Sequence, residues 1–225
     1  MQTFKMVVFD MAGTTVNEDN VVYKTLQKAI SSHGIAVDLK EVLEHGAGKE
    51  KLQAIQDIAA LHGHSPAFAK AVYEDFKPAL KTAYKNLKVS AFHGVEETFK
   101  ILRAHNVQIV LNTGYDKKTA QGLIKKLGWS ISEEYDLLVT ANDVEKSRPE
   151  PDMIFFAMEQ LNIANAAQVV KIGDSVVDIK EGKNAGCGLS IGITTGAQTH
   201  DQLKAAEPDY ILDHIAQLTG LLFKR

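Results

Sequence analysis

The sequence predicts an α/β protein, with a Rossmann-like, doubly wound parallel sheet core and an inserted α-helical domain. Three observations predict it. From Lys88 onward, short apolar runs alternate with stretches of helical periodicity, the pattern of strands joined by helical crossovers in a parallel sheet. Between Asn17 and Leu87 only helical periodicity is present, which argues for a helical bundle inserted between the first two strands. Several of the apolar runs end on polar residues, and the C-terminal edge of an open parallel sheet is where ligands bind.

In chain order, Met6 to Phe9 reads as a short buried strand that ends on Asp10, followed by Gly13-Thr14-Thr15. Val22, Leu26, Ala29 and Ile30 then recur at helical spacing, and Gly34 marks the stop. Leu52, Ile55, Ile58 and Ala59 repeat the pattern up to His62-Gly63. Ser65-Pro66 opens a longer segment through Phe68, Val72, Phe76 and Leu80. Pro78 lies inside that segment, so a kink or break is expected near Lys77. The domains expected are a core of residues 1–16 with 88–225 and a helical domain of residues 17–87.

Past Lys88, a helix bearing Val95, Phe99 and Leu102 precedes a strand from Val107 to Leu111, which leads into Asn112-Thr113-Gly114-Tyr115. A helix from Lys117 to Leu127 stops at Gly128, a strand covers Leu137 to Thr140, and Pro151 opens a helix through Leu161. The strand Val169 to Ile172 ends at Gly173-Asp174-Ser175. A helix through Asn184, a strand Leu189 to Ile193 and a weaker one around Tyr210 to Leu212 complete the pattern.

Composition excludes several classes. The 225 residues are 45% hydrophobic and 24% charged, with a net charge of −3 and both signs dispersed. No basic stripe suited to a nucleic-acid backbone is present, so nucleic acid is not an expected partner. Cys187 is the sole cysteine, which rules out an intramolecular disulfide. No apolar run approaches membrane-spanning length and the first strand begins at once. A cytoplasmic protein with no membrane partner is expected; whether it forms a homodimer is left open.

Asp10, Thr113 and Asp174 with Asp178 place polar groups at three strand ends. Carboxylates converging on one crevice repel unless a cation lies between them, and Mg²⁺ prefers such oxygen ligands while also neutralising a phosphoryl group. A rigidly supported Asp beside a Gly-Thr turn suits an aspartate nucleophile; it equally suits an Asx turn after an edge strand. Arg148, in Lys146-Ser147-Arg148-Pro149-Glu150-Pro151, could supply a positive clamp. Asp178 could instead cap the helix that follows Ser175, and Thr113 could be an ordinary strand-end hydroxyl.

Taken together, Asp10-x-x-Gly13-Thr14, Thr113 after an apolar strand, Arg148-Pro-x-Pro and Gly173-Asp174-Ser175-x-x-Asp178 resemble the four ordered motifs of the haloacid dehalogenase superfamily. The helical insert resembles the cap domain such enzymes carry. Met11-Ala12-Gly13-Thr14-Thr15-Val16, Thr113-Gly114-Tyr115 and Asp178-x-Lys180-Glu181-Gly182-x-Asn184-Ala185-Gly186 look most like its phosphonoacetaldehyde hydrolase, or phosphonatase, family. The resemblance implies that Asp10 attacks phosphorus. It implies Mg²⁺ held by Asp10, the Ala12 carbonyl and Asp174, with Asp178 assisting directly or through water. It implies Thr113 and Arg148 on the phosphoryl oxygens, with Gly13, Thr14, Gly114, Tyr115 and Gly46 around a small phosphonate or phosphorylated substrate. Phosphate-ester hydrolases of this superfamily usually carry a second Asp where this chain has Ala12. Phosphonatases carry Ala, because their leaving group is carbon held as an imine on a cap lysine.

The candidate for that lysine is Lys49 in His45-Gly46-Ala47-Gly48-Lys49. A Gly-rich turn entering a helix would aim its side chain at the crevice, where burial would favour the neutral amine. The surroundings depart from the phosphonatase pattern: His45 stands where Met is expected and Leu52 where His is. Lys49 as an imine-forming residue and Lys49 as an electrostatic contact both stay open, as does a catalytically weak paralogue that binds a phosphorylated metabolite or protein. Lys51 is expected to be solvated, His62 and His64 to sit at a helix end, Trp129 to pack, and Cys187 to be a small buried residue.

Overall fold

The computed structural model describes residues 4–47, 49 and 51–223. The chain divides into two compact units, Met1–Asn17 with Val89–Arg225, and Glu18–Lys88.

The first unit holds β1 (Met6–Asp10) and β2 (Val16–Asn17). The second holds α1 (Val21–Ser32), α2 (Leu39–Gly46), α3 (Lys51–Leu61) and α4 (Pro66–Asn86). The first unit resumes with β3 (Ser90–Ala91), α5 (Val95–Ala104), β4 (Gln108–Thr113), α6 (Lys117–Leu127), β5 (Leu137–Thr140), α7 (Asp152–Gln160), β6 (Val169–Gly173), α8 (Val176–Ala185), β7 (Leu189–Ile193), α9 (His200–Lys204), β8 (Tyr210–Leu212) and α10 (Gln217–Leu222).

The main sheet runs in the order β5-β4-β1-β6-β7-β8, every pairing parallel. This is the doubly wound α/β sheet expected. From β1 the chain first builds outward on one side through β4 and β5, then on the other through β6, β7 and β8. The switch of direction therefore falls at β1, and the C-terminal ends of β1, β4 and β6 border one crevice. Asp10 pairs with Asn112 across the β1–β4 ladder, so these ends stop at one level.

Strand alternation explains the two faces of the core. Met6 and Val8 point to one side and pack with Val110, Val139, Met153, Ile154 and Ala157, under α7. Phe9 points to the other and meets the Phe99 ring edge-on at 5.2 Å, and Phe99 in turn meets Trp129 at 5.5 Å. Trp129 is buried packing, its indole N–H donating to Glu96. All five residues of β1 are buried, so Asp10 is carried on a strand with little freedom to move.

Two short strands, β2 and β3, form a separate antiparallel ribbon, which the sequence does not announce because two residues show no periodicity. In the helical unit, Ser65 accepts from the Phe68 N–H to cap α4 as expected. Of the kink or break expected near Lys77, the break does not occur: α4 runs on through Pro78. Pro78 lies on the exposed side of the helix, away from the buried Val72 and Phe76 that dock it. α2 also goes unannounced: it is short and buries only Val42 and Gly46, and its start depends on Asp38 accepting from the Glu41 N–H. Among the described residues no helix is long and apolar enough to cross a membrane.

Glu18 opens the helical unit with a buried carboxyl that accepts from the Val21 N–H at 2.8 Å. Burial outweighs its backbone hydrogen bonds and raises the carboxyl to about 7. An acid whose folded value exceeds its unfolded one stabilises the fold below the unfolded value and loses that contribution as pH rises to the folded value. The window here runs from about 4.5 to about 7. Glu18→Gln, which mimics the protonated form, should therefore gain on the order of 1–3 kcal/mol relative to the parent between pH 4.5 and pH 8. Thermal melts of both proteins across that range measure the difference; parallel curves would contradict the assignment.

Candidate active site

The site grows from the turn after β1. The Met11 carbonyl accepts the N–H groups of Thr14, Thr15 and Val16 at 3.2, 2.9 and 2.7 Å, and the Gly13 N–H donates to the Val16 carbonyl at 3.0 Å. The Gly13 and Thr14 amides thus hold the loop's own shape. Gly13 has φ +88°, and a Cβ there would overlap the Asp174 carboxylate, so glycine is required both for the conformation and for the approach. The Thr15 hydroxyl donates to the Asp10 carbonyl at 3.0 Å, and the Thr14 hydroxyl reaches Asp10 Oδ2 at 3.4 Å.

Around Asp10 the other strand ends deliver Asp174, one residue past β6, and Asp178, in the first turn of α8. Ligand atoms of Asp10, Asp174 and Asp178 all lie within 4.8 Å of one another, and all three residues are buried. A Cβ on Gly173 would overlap Asp178, and a Cβ on Gly196 would overlap Asp174. Asp174 Oδ2 accepts the Ala197 N–H at 2.6 Å, while the Thr195 hydroxyl donates to the Gly13 carbonyl at 2.6 Å. The segment after β7 therefore cradles both the loop after β1 and Asp174.

Arg148 joins the acids. Its Nη1 donates to Asp10 Oδ1 at 2.6 Å and also to Asp178 Oδ1. Asp178 takes a further hydrogen bond from the Ser175 hydroxyl and an ion pair from Lys171, so its carboxylate is not the helix cap that its position also allowed. Lys171 is fully buried in the middle of β6 and ion-paired to Glu181 at 3.0 Å. Thr113 is buried and accepts the Tyr115 N–H at 3.2 Å on its hydroxyl. Gly114 lies beside the guanidinium, where a built Cβ would stand 3.2 Å from Arg148 Nη2. Ala12 is half-buried and bridges to Val16.

The electrostatics follow from this crowding. Burial lifts Asp10, Arg148 pulls it back and Asp178 adds repulsion, leaving the carboxyl raised to about 6. Burial, then Asp10 and Asp178, hold Asp174 well above the ordinary carboxylate range. Burial would raise Asp178 as well, but Arg148 and Lys171 outweigh it and bring it down to about 2. Four buried carboxylates, Asp10, Asp174, Asp178 and Glu181, face two cations, Arg148 and Lys171. The formal excess is two negative charges, which a single divalent cation would neutralise.

The second unit places Lys49 differently from the buried amine expected. Its side chain is 43% exposed and forms an ion pair with Asp57 of α3, whose other oxygen accepts from Gln53. That hydrogen bond from Lys49 is the largest cause of the Asp57 carboxyl lying below its usual range. Gly46 is the last residue of α2 rather than part of an open turn, and a Cβ on it would stand 3.3 Å from that of Ala54, so it lets α2 and α3 pack closely. Gly48 lies outside the described residues. Lys51 is engaged rather than solvated, with Nζ 4.9 Å from the Tyr23 ring centroid and donating to the Lys49 carbonyl. Cys187 is partly buried beside Ala185, and burial pushes its thiol up to about 12.

Residues 4–186 match the model of a hydrolase family, described as haloacid dehalogenase-like hydrolase. The chain is 27% identical, over 100% of its own length and 97% of the relative's, to the phosphonoacetaldehyde hydrolase of Latilactobacillus sakei subsp. sakei. It is 28% identical to "Probable phosphatase IndB" of Dickeya dadantii, over 96% of this chain and 92% of the other. Its fold matches the crystal structure of a phosphonoacetaldehyde hydrolase-like protein from Oleispira antarctica, with a TM-score of 0.79 at 22% identity, covering 97% and 91% of the two chains.

The raised values of Asp10 and Asp174 give cation binding a definite pH dependence. Both groups must lose protons to act as ligands, and Asp10 alone is mostly protonated below about pH 6. Mg²⁺ titrated calorimetrically into metal-free protein should bind roughly tenfold more tightly at pH 7 than at pH 5, with proton release. Asp174→Ala should abolish the heat. Equal affinity at both pH values would contradict the raised carboxyls, and an undiminished heat in Asp174→Ala would contradict the cation site.

Proposed function

From its membership of the haloacid dehalogenase-like hydrolase family, to which this chain belongs, we propose a Mg²⁺-dependent, phosphonatase-like hydrolase. Its substrate is a small phosphonate such as phosphonoacetaldehyde, and the reaction passes through an aspartyl-phosphate on Asp10. The observation that carries this reading is Ala12. It stands two residues past the nucleophile, at the reacting centre, with a methyl group where a phosphate-ester hydrolase needs an acid to protonate the departing alkoxide. A leaving group that departs as stabilised carbon has no such need. The 27% identity to a phosphonoacetaldehyde hydrolase along the whole chain supports the same choice.

In this mechanism Asp10 attacks phosphorus with one carboxylate oxygen. The P–C bond breaks, its electron pair passes to an imine formed between the aldehyde and Lys49, and the resulting enamine is protonated and hydrolysed. Water then attacks the aspartyl-phosphate, freeing phosphate and restoring Asp10. Arg148 and Thr113 hold the phosphoryl oxygens, with Gly114 leaving room for the guanidinium. The residues fit Mg²⁺: the Asp10 and Asp174 carboxylates with the Ala12 carbonyl would hold it, with Asp178 alongside. When bound, the ion neutralises the excess negative charge and polarises the phosphoryl group. Residues 17–87 act as the cap domain that supplies Lys49.

A second reading is favoured by the Lys49–Asp57 ion pair. The contact holds the side chain half-exposed against Asp57, the setting of an electrostatic contact and not that of a buried imine-forming amine. Lys49 would then bind the substrate's charge, and the enzyme would be a phosphatase acting on a small metabolite, as the name of the Dickeya dadantii relative suggests for that protein.

One experiment separates the two. Incubation with phosphonoacetaldehyde and borohydride should label Lys49 covalently, and Lys49→Arg should be inactive. Labelling at another residue, or no labelling with partial activity kept by Lys49→Arg, would replace the phosphonatase reading with the phosphatase one.

A further inference from the structure

We propose that Lys171, with Glu181 as its counter-ion, is a positioning residue for the hydrolysis: it fixes Asp178 so that Asp178 keeps Arg148 on the nucleophile. The proposal rests on Asp10 being the nucleophile.

Lys171 is the middle residue of Val169-Val170-Lys171-Ile172-Gly173, a strand buried along its whole length, and its own exposure is 0%. A methionine or leucine would fill such a place without the desolvation cost of a charge, and buried ion pairs seldom stabilise more than well-packed apolar residues do. Stability alone therefore does not explain a lysine there. Its surroundings do offer an explanation. Nζ lies 3.0 Å from Asp178 Oδ1, 3.0 Å from Glu181 Oε2 and 3.2 Å from Asn112 Oδ1. The contact with Asn112 is a hydrogen bond, and those with the two carboxylates are ion pairs. Asn112 Nδ2 in turn donates to Glu181 Oε1 at 3.0 Å, which closes the arrangement.

The backbone is arranged around this contact. Asn112 pairs with Asp10 across β1 and β4, and Val8 pairs with Lys171 across β1 and β6, so the ammonium sits behind the nucleophile's own strand end. Gly182 lets α8 come close enough for Glu181 to reach: a Cβ there would stand 2.8 Å from that of Lys171. On the far side of the carboxylate, Asp178 Oδ1 also receives Arg148 Nη1, the same nitrogen that donates to Asp10 Oδ1 at 2.6 Å. Lys171, Asp178, Arg148 and Asp10 thus form one continuous line of charge-assisted contacts. Because Lys171 and Glu181 cancel in formal charge, the pair leaves the net charge at the crevice unchanged. What it contributes is the direction in which Asp178 faces.

The test replaces the neutral pair as a unit, with Lys171→Met combined with Glu181→Leu, so that no unpaired charge is left buried. Turnover is measured on phosphonoacetaldehyde and on an aryl phosphate. The ¹⁹F spectrum of the BeF₃⁻ adduct formed with Mg²⁺ is also recorded, since its fluorines report the donors around the phosphoryl position. A folded double variant with kcat lowered roughly 10- to 100-fold, KM changed much less, and displaced fluorine resonances is the expected result. Should that variant fail to fold, Lys171→Gln, which keeps a donor, should show a smaller loss with the same spectral shift. Near-parental kcat and an unchanged spectrum in either folded variant would overturn the proposal. Failure of the parent protein to form any adduct would overturn the aspartyl nucleophile itself, and this proposal with it.

Discussion

The structure turns on one constraint: three carboxylates, Asp10, Asp174 and Asp178, are buried together at the end of a parallel sheet. Charges so placed repel strongly in a poorly solvated site, and only bound protons, fixed cations or a metal ion can relieve them. The protein uses fixed cations for part of the load. A single guanidinium nitrogen of Arg148 bridges Asp10 and Asp178, and Lys171 takes Asp178 from behind. Among the described residues Asp174 has neither cation as a direct partner; it accepts the Ala197 N–H, and burial with the neighbouring acids holds its carboxyl well above the ordinary range. The unrelieved charge is therefore concentrated where Asp174 faces Asp10.

The fold makes such crowding attainable by removing side chains at selected points. Gly13, Gly173, Gly182 and Gly196 each lie where a Cβ would collide with Asp174, Asp178 or Lys171. The parallel order β4-β1-β6 brings three strand ends to one level, and their buried flanks leave the carboxylates little room to swing. Rigid strands with glycine-lined loops thus hold a charged constellation that flexible loops alone would let relax apart.

Much of this is written locally in the sequence. The strands Leu137–Thr140, Leu189–Ile193 and Tyr210–Leu212 and the helix Lys117–Leu127 fall where periodicity, Gly128 and the polar strand ends place them. Asp10, Asp174 and Asp178 stand out because each interrupts an apolar or glycine pattern. Lys171 interrupts the β6 pattern in the same way, so a charged residue inside a five-residue buried strand was the available signal. Its partner Asn112 lies 59 residues from Lys171 and 69 from Glu181, a relation that only the fold supplies. The Thr195-Gly196-Ala197 cradle had a fainter sign, a hydroxyl and a glycine after the strand Leu189–Ile193. The pairing of Lys49 with Asp57 has none, since it depends on how the chain turns between α2 and α3.

The measurement that bears most directly on the account is acid quenching during turnover, followed by peptide mapping. A nucleophilic Asp10 predicts a phosphoryl group on the peptide containing Asp10, sensitive to hydroxylamine as an acyl phosphate is, and absent from Asp10→Asn. Turnover without any phosphorylated peptide, or undiminished turnover by Asp10→Asn, would contradict it.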